Sequence, residues 1–191
     1  MRHLLFVVLS YLVSNPANAE VLDRTILSFG MGASYPIAVG APDIFSEEWN
    51  SGVHIGGSLG YILDKGQKFI VSSSVDYTNY ILALSEGTIV RADQSVDVVS
   101  VFTDLKMRLR SSSALVIPYV KGGLGLFRSV REDRVRDTLD KQNKMGFGVD
   151  AGVDLAVSER AGFFAEAQYQ VGLTEIKTTQ HMPFKVGFFF R

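Results

Sequence analysis

Apolar and polar positions alternate with a period of two along much of the chain. From Gly146 to Ala156, residues Phe147, Val149, Ala151, Val153 and Leu155 fall on one side, and Gly148, Asp150, Gly152, Asp154 and Ala156 on the other. From Phe163 to Gly172 the pattern repeats, with Phe163, Ala165, Ala167, Tyr169 and Val171 set against Phe164, Glu166, Gln168 and Gln170. Such alternation marks a strand whose two faces meet different surroundings. Six more segments read the same way: Thr25–Tyr35, Gly52–Leu63, Lys68–Tyr80, Val96–Arg110, Leu115–Arg128 and Met182–Phe190. Helical periodicity is scarce, and 18 glycines among many Val, Ser, Thr, Tyr and Phe disfavour helix interiors. The expectation is an all-β chain of eight antiparallel strands, each near or above the roughly 9–11 residues that a tilted strand needs to cross a bilayer.

The connections alternate in length. Asp64-Lys65-Gly66, Ser111–Ala114 and Ser158–Ala161 read as tight turns, while Pro36–Ser51, Ile81–Ser95, Ser129–Lys144 and Leu173–His181 read as longer links. Short links at one end and long links at the other are what an up-and-down barrel with one plain and one elaborated rim produces.

The phase of the charges sharpens the picture. Asp76, Asp104, Lys106, Arg108, Arg110, Lys121, Asp150, Asp154, Glu166 and Lys185 all lie opposite their strand's apolar side. Asp97 is the exception, and it stands beside a long link. A Lys or Arg facing lipid at the bilayer midplane would cost about 2–4 kcal/mol, so a membrane enforces this segregation. An eight-stranded barrel is wide enough inside only for its own side chains, so the two signs, equal in number, are expected to pair there. Aromatic residues cluster on the apolar phase at both strand ends: Tyr35, Tyr77, Phe147 and Tyr169 toward the long links, and Tyr61, Phe69, Phe163, Phe188 and Phe190 toward the turns. Two such girdles suit the two headgroup levels of a membrane. A water-soluble barrel would invert the faces, and phase alone does not say which face is inside.

Composition narrows the classes further. A net charge of −1 leaves no concentrated basic surface for nucleic acid. The absence of cysteine removes disulfides, thiolate metal sites and a Cys nucleophile. Mean hydropathy is high, at +0.16, yet no run reaches the roughly 18 apolar residues of a spanning helix. The first nineteen residues carry a basic start (Arg2, His3), an apolar run from Leu4 to Val13, and Ala17-Asn18-Ala19 at a cleavage position. This is the layout of a secretory signal peptide, so residues 1–19 are expected to be removed and residues 20–191 to form the barrel domain.

Three stretches carry a family pattern: Pro118-Tyr119-Val120-Lys121-Gly122-Gly123-Leu124-Gly125-Leu126, the run Gly146–Leu155, and Phe164–Tyr169 with its inward Glu166. With the Ser158–Ala161 turn between the last two, the chain resembles the OmpA-like and OmpX-like small outer-membrane proteins built on an eight-stranded β-barrel domain. That resemblance implies a monomer in the outer membrane, contacting membrane lipid and lipopolysaccharide, with a structural, surface-antigen or adhesin role and no enzymatic activity or cofactor. It also implies handling by the barrel-assembly machinery, which reads a terminal aromatic residue. Here the chain ends Phe188-Phe189-Phe190-Arg191, which leaves Phe190 to serve.

Site chemistry is sparse. The expected lumen network comprises Asp76, Asp104, Lys106, Arg108, Lys121, Asp150, Asp154, Glu166 and Lys185. Arg131, Arg134 and Arg136, in the link from Ser129 to Gln142, are candidates for lipopolysaccharide phosphates, because guanidinium groups bind phosphate in a bidentate way. Ile37, Val39, Ile44, Phe45 and Trp49 make the first long link apolar enough to contact a host or envelope protein, or to pack into the barrel mouth. His54 faces inward with Ser58 four residues on, about 13 Å away and too far for a partner. His181 is expected in or beside the last link. No catalytic, cofactor or metal site is expected. Two alternatives remain: a barrel enzyme that modifies lipid A, separable by mass spectrometry of lipid A, and a soluble periplasmic ligand-binding barrel, separable by detergent dependence.

Overall fold

The computed structural model describes residues 23–37, 51–81, 94–111, 114–133, 138–173 and 179–191. Eight strands follow one another: β1 (Thr25–Pro36), β2 (Gly52–Ile62), β3 (Phe69–Ile81), β4 (Gln94–Arg108), β5 (Val116–Asp133), β6 (Thr138–Ala156), β7 (Ala161–Leu173) and β8 (Thr179–Phe190). Each pairs antiparallel with its sequence neighbours, and β8 pairs with β1 to close the barrel. Closure gives every strand two partners and leaves no sheet edge in the hydrocarbon, where an unpaired amide has no water to turn to.

The turns hold their strands by local hydrogen bonds. Between β2 and β3, the Phe69 amide donates to Asp64 Oδ1 at 2.7 Å and the Gln67 amide to the Asp64 carbonyl at 3.0 Å. The left-handed residue of this turn is Gln67 (φ 56°), not the neighbouring Gly66. Between β6 and β7, Ser158 Oγ accepts from the Ala161 amide at 3.0 Å.

All eight expected strands are present, but one of the expected long links is largely strand and another is entered by strand at its ends. β5 continues to Asp133 and β6 starts at Thr138, with Asp133 opposite Thr138, so much of Ser129–Lys144 belongs to one hairpin. The backbone ladder persists there although the alternation fades. A strand pair standing clear of lipid needs its hydrogen bonds but no greasy side. β8 likewise begins at Thr179 and takes in His181. Arg110, expected inside, lies past the end of β4 and is exposed.

One phase of each strand points out and stays uncovered: Phe29 and Met31 on β1, Ile55 and Leu59 on β2, Leu124 and Leu126 on β5, Val186 and Phe188 on β8, and others. The opposite phase fills the lumen in layers. Near the turns Ile26, Ile62, Ile70 and Phe189 form an inner apolar cluster. Near the long links Tyr80, Val96, Val98, Phe102 and Phe127 form an outer one, with the Phe102 and Phe127 rings edge to face at 5.1 Å. Charged residues occupy the layer between. Inward glycines make room for bulky partners across the lumen or the ladder. A side chain at Gly152 would run into the Tyr119 ring, one at Gly125 into Phe102, one at Gly146 into Phe127 and one at Gly56 into the Asp76 carboxylate. Alternating large and small inward residues is how a narrow barrel fills its taper.

Candidate functional site

The lumen is lopsided. From β1 to β3 the inward residues of the middle layer are small, among them Ser28, Gly30, Ser58, Gly60, Ser72 and Ser74, whereas β4 to β8 supply long charged side chains. A cavity of about 50 Å³ remains between the two, bordered by the serines on one side and by Lys106, Lys121 and Glu166 on the other. Its lining mixes these polar groups with Ile26, Ile70, Phe164 and Phe189, and it has room for a few water molecules.

Register decides which charges meet. Lys106 and Lys121 stand directly opposite each other on β4 and β5, a repulsive arrangement if both pointed the same way. They diverge. Lys106 Nζ reaches both oxygens of Asp154 at 2.9 Å, and the Arg108 guanidinium donates to Asp154 Oδ2 from Nη2 at 3.0 Å and from Nε at 3.3 Å. Lys121 Nζ instead lies 2.9 Å from Asp150 Oδ2 and 2.9 Å from Glu166 Oε2. Glu166 collects further donors: Tyr119 Oη at 2.8 Å, Gln168 Nε2 at 2.6 Å and Lys185 Nζ at 3.3 Å. Lys185 also reaches Asp76 Oδ1 at 3.2 Å. Tyr119 links the two groups, because Lys106 Nζ sits 3.5 Å from the centre of its ring.

All nine residues of the expected network therefore face the lumen, and eight of them take part in these contacts. Asp104 is buried on β4, where Gly123 leaves space for its carboxylate. Lys144 joins the inward charges, buried on β6. It was hidden from sequence reasoning because it lay in an apparent loop. Among the described residues the inward charges are Asp76, Asp104, Asp150, Asp154 and Glu166 against Lys106, Arg108, Lys121, Lys144 and Lys185, so the two signs still cancel after Arg110 drops out.

The histidines sit closer together than the sequence suggests. His54 and Ser58 are not partners. His54 Nδ1 faces Thr78 Oγ1 at 2.8 Å, and its Nε2 lies 3.4 Å from Asp76 Oδ1. His181, expected in or beside a loop, is buried in β8, with Nδ1 2.8 Å from Tyr80 Oη and 3.2 Å from Ser34 Oγ. No group of three metal-ligating side chains comes together among the described residues.

On the outer face, Asp97 is satisfied by Tyr77 Oη and Asn79 Nδ2, each at 2.7 Å, which explains how a carboxylate tolerates the lipid-side phase. Arg128 and Lys141 are exposed on the same face of β5 and β6. Arg128 is opposite Asn143 and Lys141 opposite Val130, so the two cations are diagonal neighbours. Arg134, Arg136, Val39, Ile44, Phe45, Trp49 and residues 1–22 lie outside the described residues. Ile37 is described, with its amide donating to the Gln180 carbonyl at 2.9 Å. Of Arg131 only the backbone, opposite Asp140, is described.

A family model described as "Outer membrane protein beta-barrel domain" matches residues 5–189. The chain belongs to this family. Membership settles which face is in: lipid surrounds the apolar phase, and the protein is an outer-membrane barrel. Solved structures agree in fold. Neisserial surface protein A aligns with a TM-score of 0.59 at 18% identity over 87% of this chain and 95% of that one. OprG of Pseudomonas aeruginosa aligns with a TM-score of 0.61 at 16% identity, covering 87% and 94%. Ail, the attachment invasion locus protein of Yersinia pestis, aligns with a TM-score of 0.53 at 14% identity, covering 87% and 99%. No curated protein matches the chain in sequence.

Proposed function

We propose that this outer-membrane barrel protein is a non-enzymatic surface protein of adhesin or surface-antigen type, exported by a signal peptide cleaved after Ala19, whose shut lumen serves as an anchor for the hairpins it displays outside. The observation that carries the reading is the length of the β5–β6 hairpin. Those strands have 18 and 19 residues, well beyond the roughly 9–11 that cross a bilayer, so the excess stands outside the membrane as a rigid contact surface. The ion-paired middle layer between two apolar clusters supports an anchor rather than a conduit. The names of Neisserial surface protein A and of the attachment invasion locus protein Ail are consistent with surface display.

The test is to replace residues 131–140 with a two-residue turn. Intact cells carrying the shortened protein should lose attachment to host cells or to an envelope partner, while the heat-modifiable gel band of the folded barrel persists. Attachment unchanged by the deletion would remove the adhesin reading.

A lipid contact accompanies this role. Arg128 is the thirteenth residue of β5, about where the outer leaflet ends, and with Lys141 it presents two neighbouring cations toward lipid headgroups. The pair suits lipopolysaccharide phosphates, together with Arg131, Arg134 and Arg136 of the same hairpin. The barrel acts as a monomer and is inserted by the barrel-assembly machinery.

A further inference from the structure

We propose that the lipid-facing side of β3 to β6 near the outer rim is a binding site for a zwitterionic headgroup, a lipopolysaccharide phosphate that carries an ethanolamine amine. Arg128 and Lys141 hold the phosphate, and Asp97 holds the ammonium. The inference rests on the phosphate contact proposed above and adds the partner chemistry that Asp97 requires.

Register builds the patch. Asn79, Asp97, Val130 and Lys141 stand opposite one another in turn across β3, β4, β5 and β6. The next outward rung, one step nearer the turns, is Tyr77, Val99, Arg128 and Asn143. Asp97 is therefore diagonal to Arg128, and Arg128 is diagonal to Lys141. On β1, β2, β7 and β8 the described outward positions carry no charge, so the charges of the lipid-facing side gather here.

A carboxylate in this layer is out of place. It lies on the phase that the rest of the barrel gives to hydrocarbon, and at the rim it meets a leaflet of anionic headgroups. Its neighbours hold it without neutralising it. Tyr77 Oη and Asn79 Nδ2 both donate to the same oxygen, Oδ1, each at 2.7 Å, and so turn the carboxylate toward β3. Among the described residues Oδ2 has no donor, and no ion pair joins Asp97 to Arg128, although diagonal positions lie only about 7–8 Å apart. Arg128 and Lys141 are exposed, and they too make no hydrogen bond or ion pair among the described residues.

Opposite charges held close but apart fit a ligand that brings both signs itself. The Arg128 guanidinium suits two phosphate oxygens in its planar fork, and Lys141 adds a second, more compact cation. A bare phosphate seated there would face the Asp97 carboxylate as a like charge. An amine joined to the phosphate by a two-carbon arm replaces that repulsion with a charge-assisted hydrogen bond from the ammonium to Oδ2. Selectivity then comes from what Asp97 rejects as much as from what it binds. The position at the outer rim, beside the extensions of β5 and β6, makes lipopolysaccharide the source of the headgroup.

For the test, the protein is purified from outer membranes in detergent, stripped of lipid and checked for its heat-modifiable band. It is titrated in EDTA with two probes, bis-phosphorylated lipid A and the same lipid A carrying phosphoethanolamine, and bound lipid is counted by native mass spectrometry. The wild type should bind the phosphoethanolamine form about fivefold more tightly, the size expected of one exposed ion pair. Asp97→Asn keeps an acceptor for Tyr77 and Asn79, so it should fold alike, lose the preference and bind unmodified lipid A at least as well. Asp97→Lys should reverse the preference, and Arg128→Gln/Lys141→Gln should weaken binding of both lipids. Equal binding of the two forms by the wild type overturns the inference. So does a preference that survives Asp97→Asn, or one that appears only when magnesium replaces EDTA, which marks a divalent bridge instead. If the double variant weakens both lipids but the wild type shows no preference, the phosphate contact stands and the zwitterionic site falls. If the double variant changes neither affinity, both fall.

Discussion

A carboxylate survives inside this barrel because several donors converge on it. Asp154 is the clearest case, with a lysine and an arginine on its two oxygens and 1% side-chain exposure. Asp154→Asn keeps the size and removes the charge, leaving Lys106 and Arg108 without a counterion. Breaking a buried pair from one side costs about 3–5 kcal/mol, so urea unfolding of the folded band should shift to markedly lower denaturant in that variant. Asp64 illustrates the exposed counterpart. The Phe69 amide donates to its carboxylate and holds its pKa below the ordinary 3.8. A carboxylate with a depressed folded pKa contributes stability that is fully present above the unfolded value and is lost as pH falls through the folded one. The advantage of the wild type over Asp64→Ala should therefore be constant at neutral pH and shrink below about pH 4, as read by the folded fraction across an acid titration. Neither residue announces its partner in the sequence. Asp154 and Lys106 are 48 positions apart, and only the ladder through β5 brings them together.

At the scale of the strand, alternation was a sound guide where the two faces differ and a poor one where they do not. β7 reads correctly to within a residue or two because lipid and lumen impose opposite demands on its neighbouring positions. The outer part of β6, from Thr138 to Lys144, carries a single apolar residue, Leu139, and so shows no greasy phase, and only the hydrogen-bond ladder reveals it. The lipid face carries its own test. Leu124 is 71% exposed on β5, inside the stretch that crosses the bilayer. Leu124→Arg should cost about 2–4 kcal/mol in a lipid-based unfolding titration, whereas Arg128→Leu, four residues further out, should change stability little.

For the whole molecule, the decisive feature is that the lumen is filled in three layers: apolar near the turns, charged in the middle, apolar and aromatic near the outer rim. A barrel packed this way should show no large, steady conductance in a planar bilayer at neutral pH. Such a conductance would contradict the shut lumen. Much of this was set by sequence alone, namely the strand number, the short and long ends and the phase of the nine charges of the expected lumen network, though not of Arg110 or Lys144, because a period of two survives translation into any sheet. The choice of lipid outside over water outside was not, since inverting the barrel preserves the pattern. The pairings were not either: Lys121 opposes Lys106 and Asp150 in the ladder yet also binds Glu166 two strands away, a choice made by side-chain reach across a curved lumen. His181 marks the same boundary. Its neighbours in sequence describe a loop end, and only closure of β8 against β1 delivers it to Tyr80 and Ser34 in the interior. Local periodicity determines which way a residue points. What it meets there depends on strands dozens of residues distant, and contacts of that kind exist only once the sheet has closed.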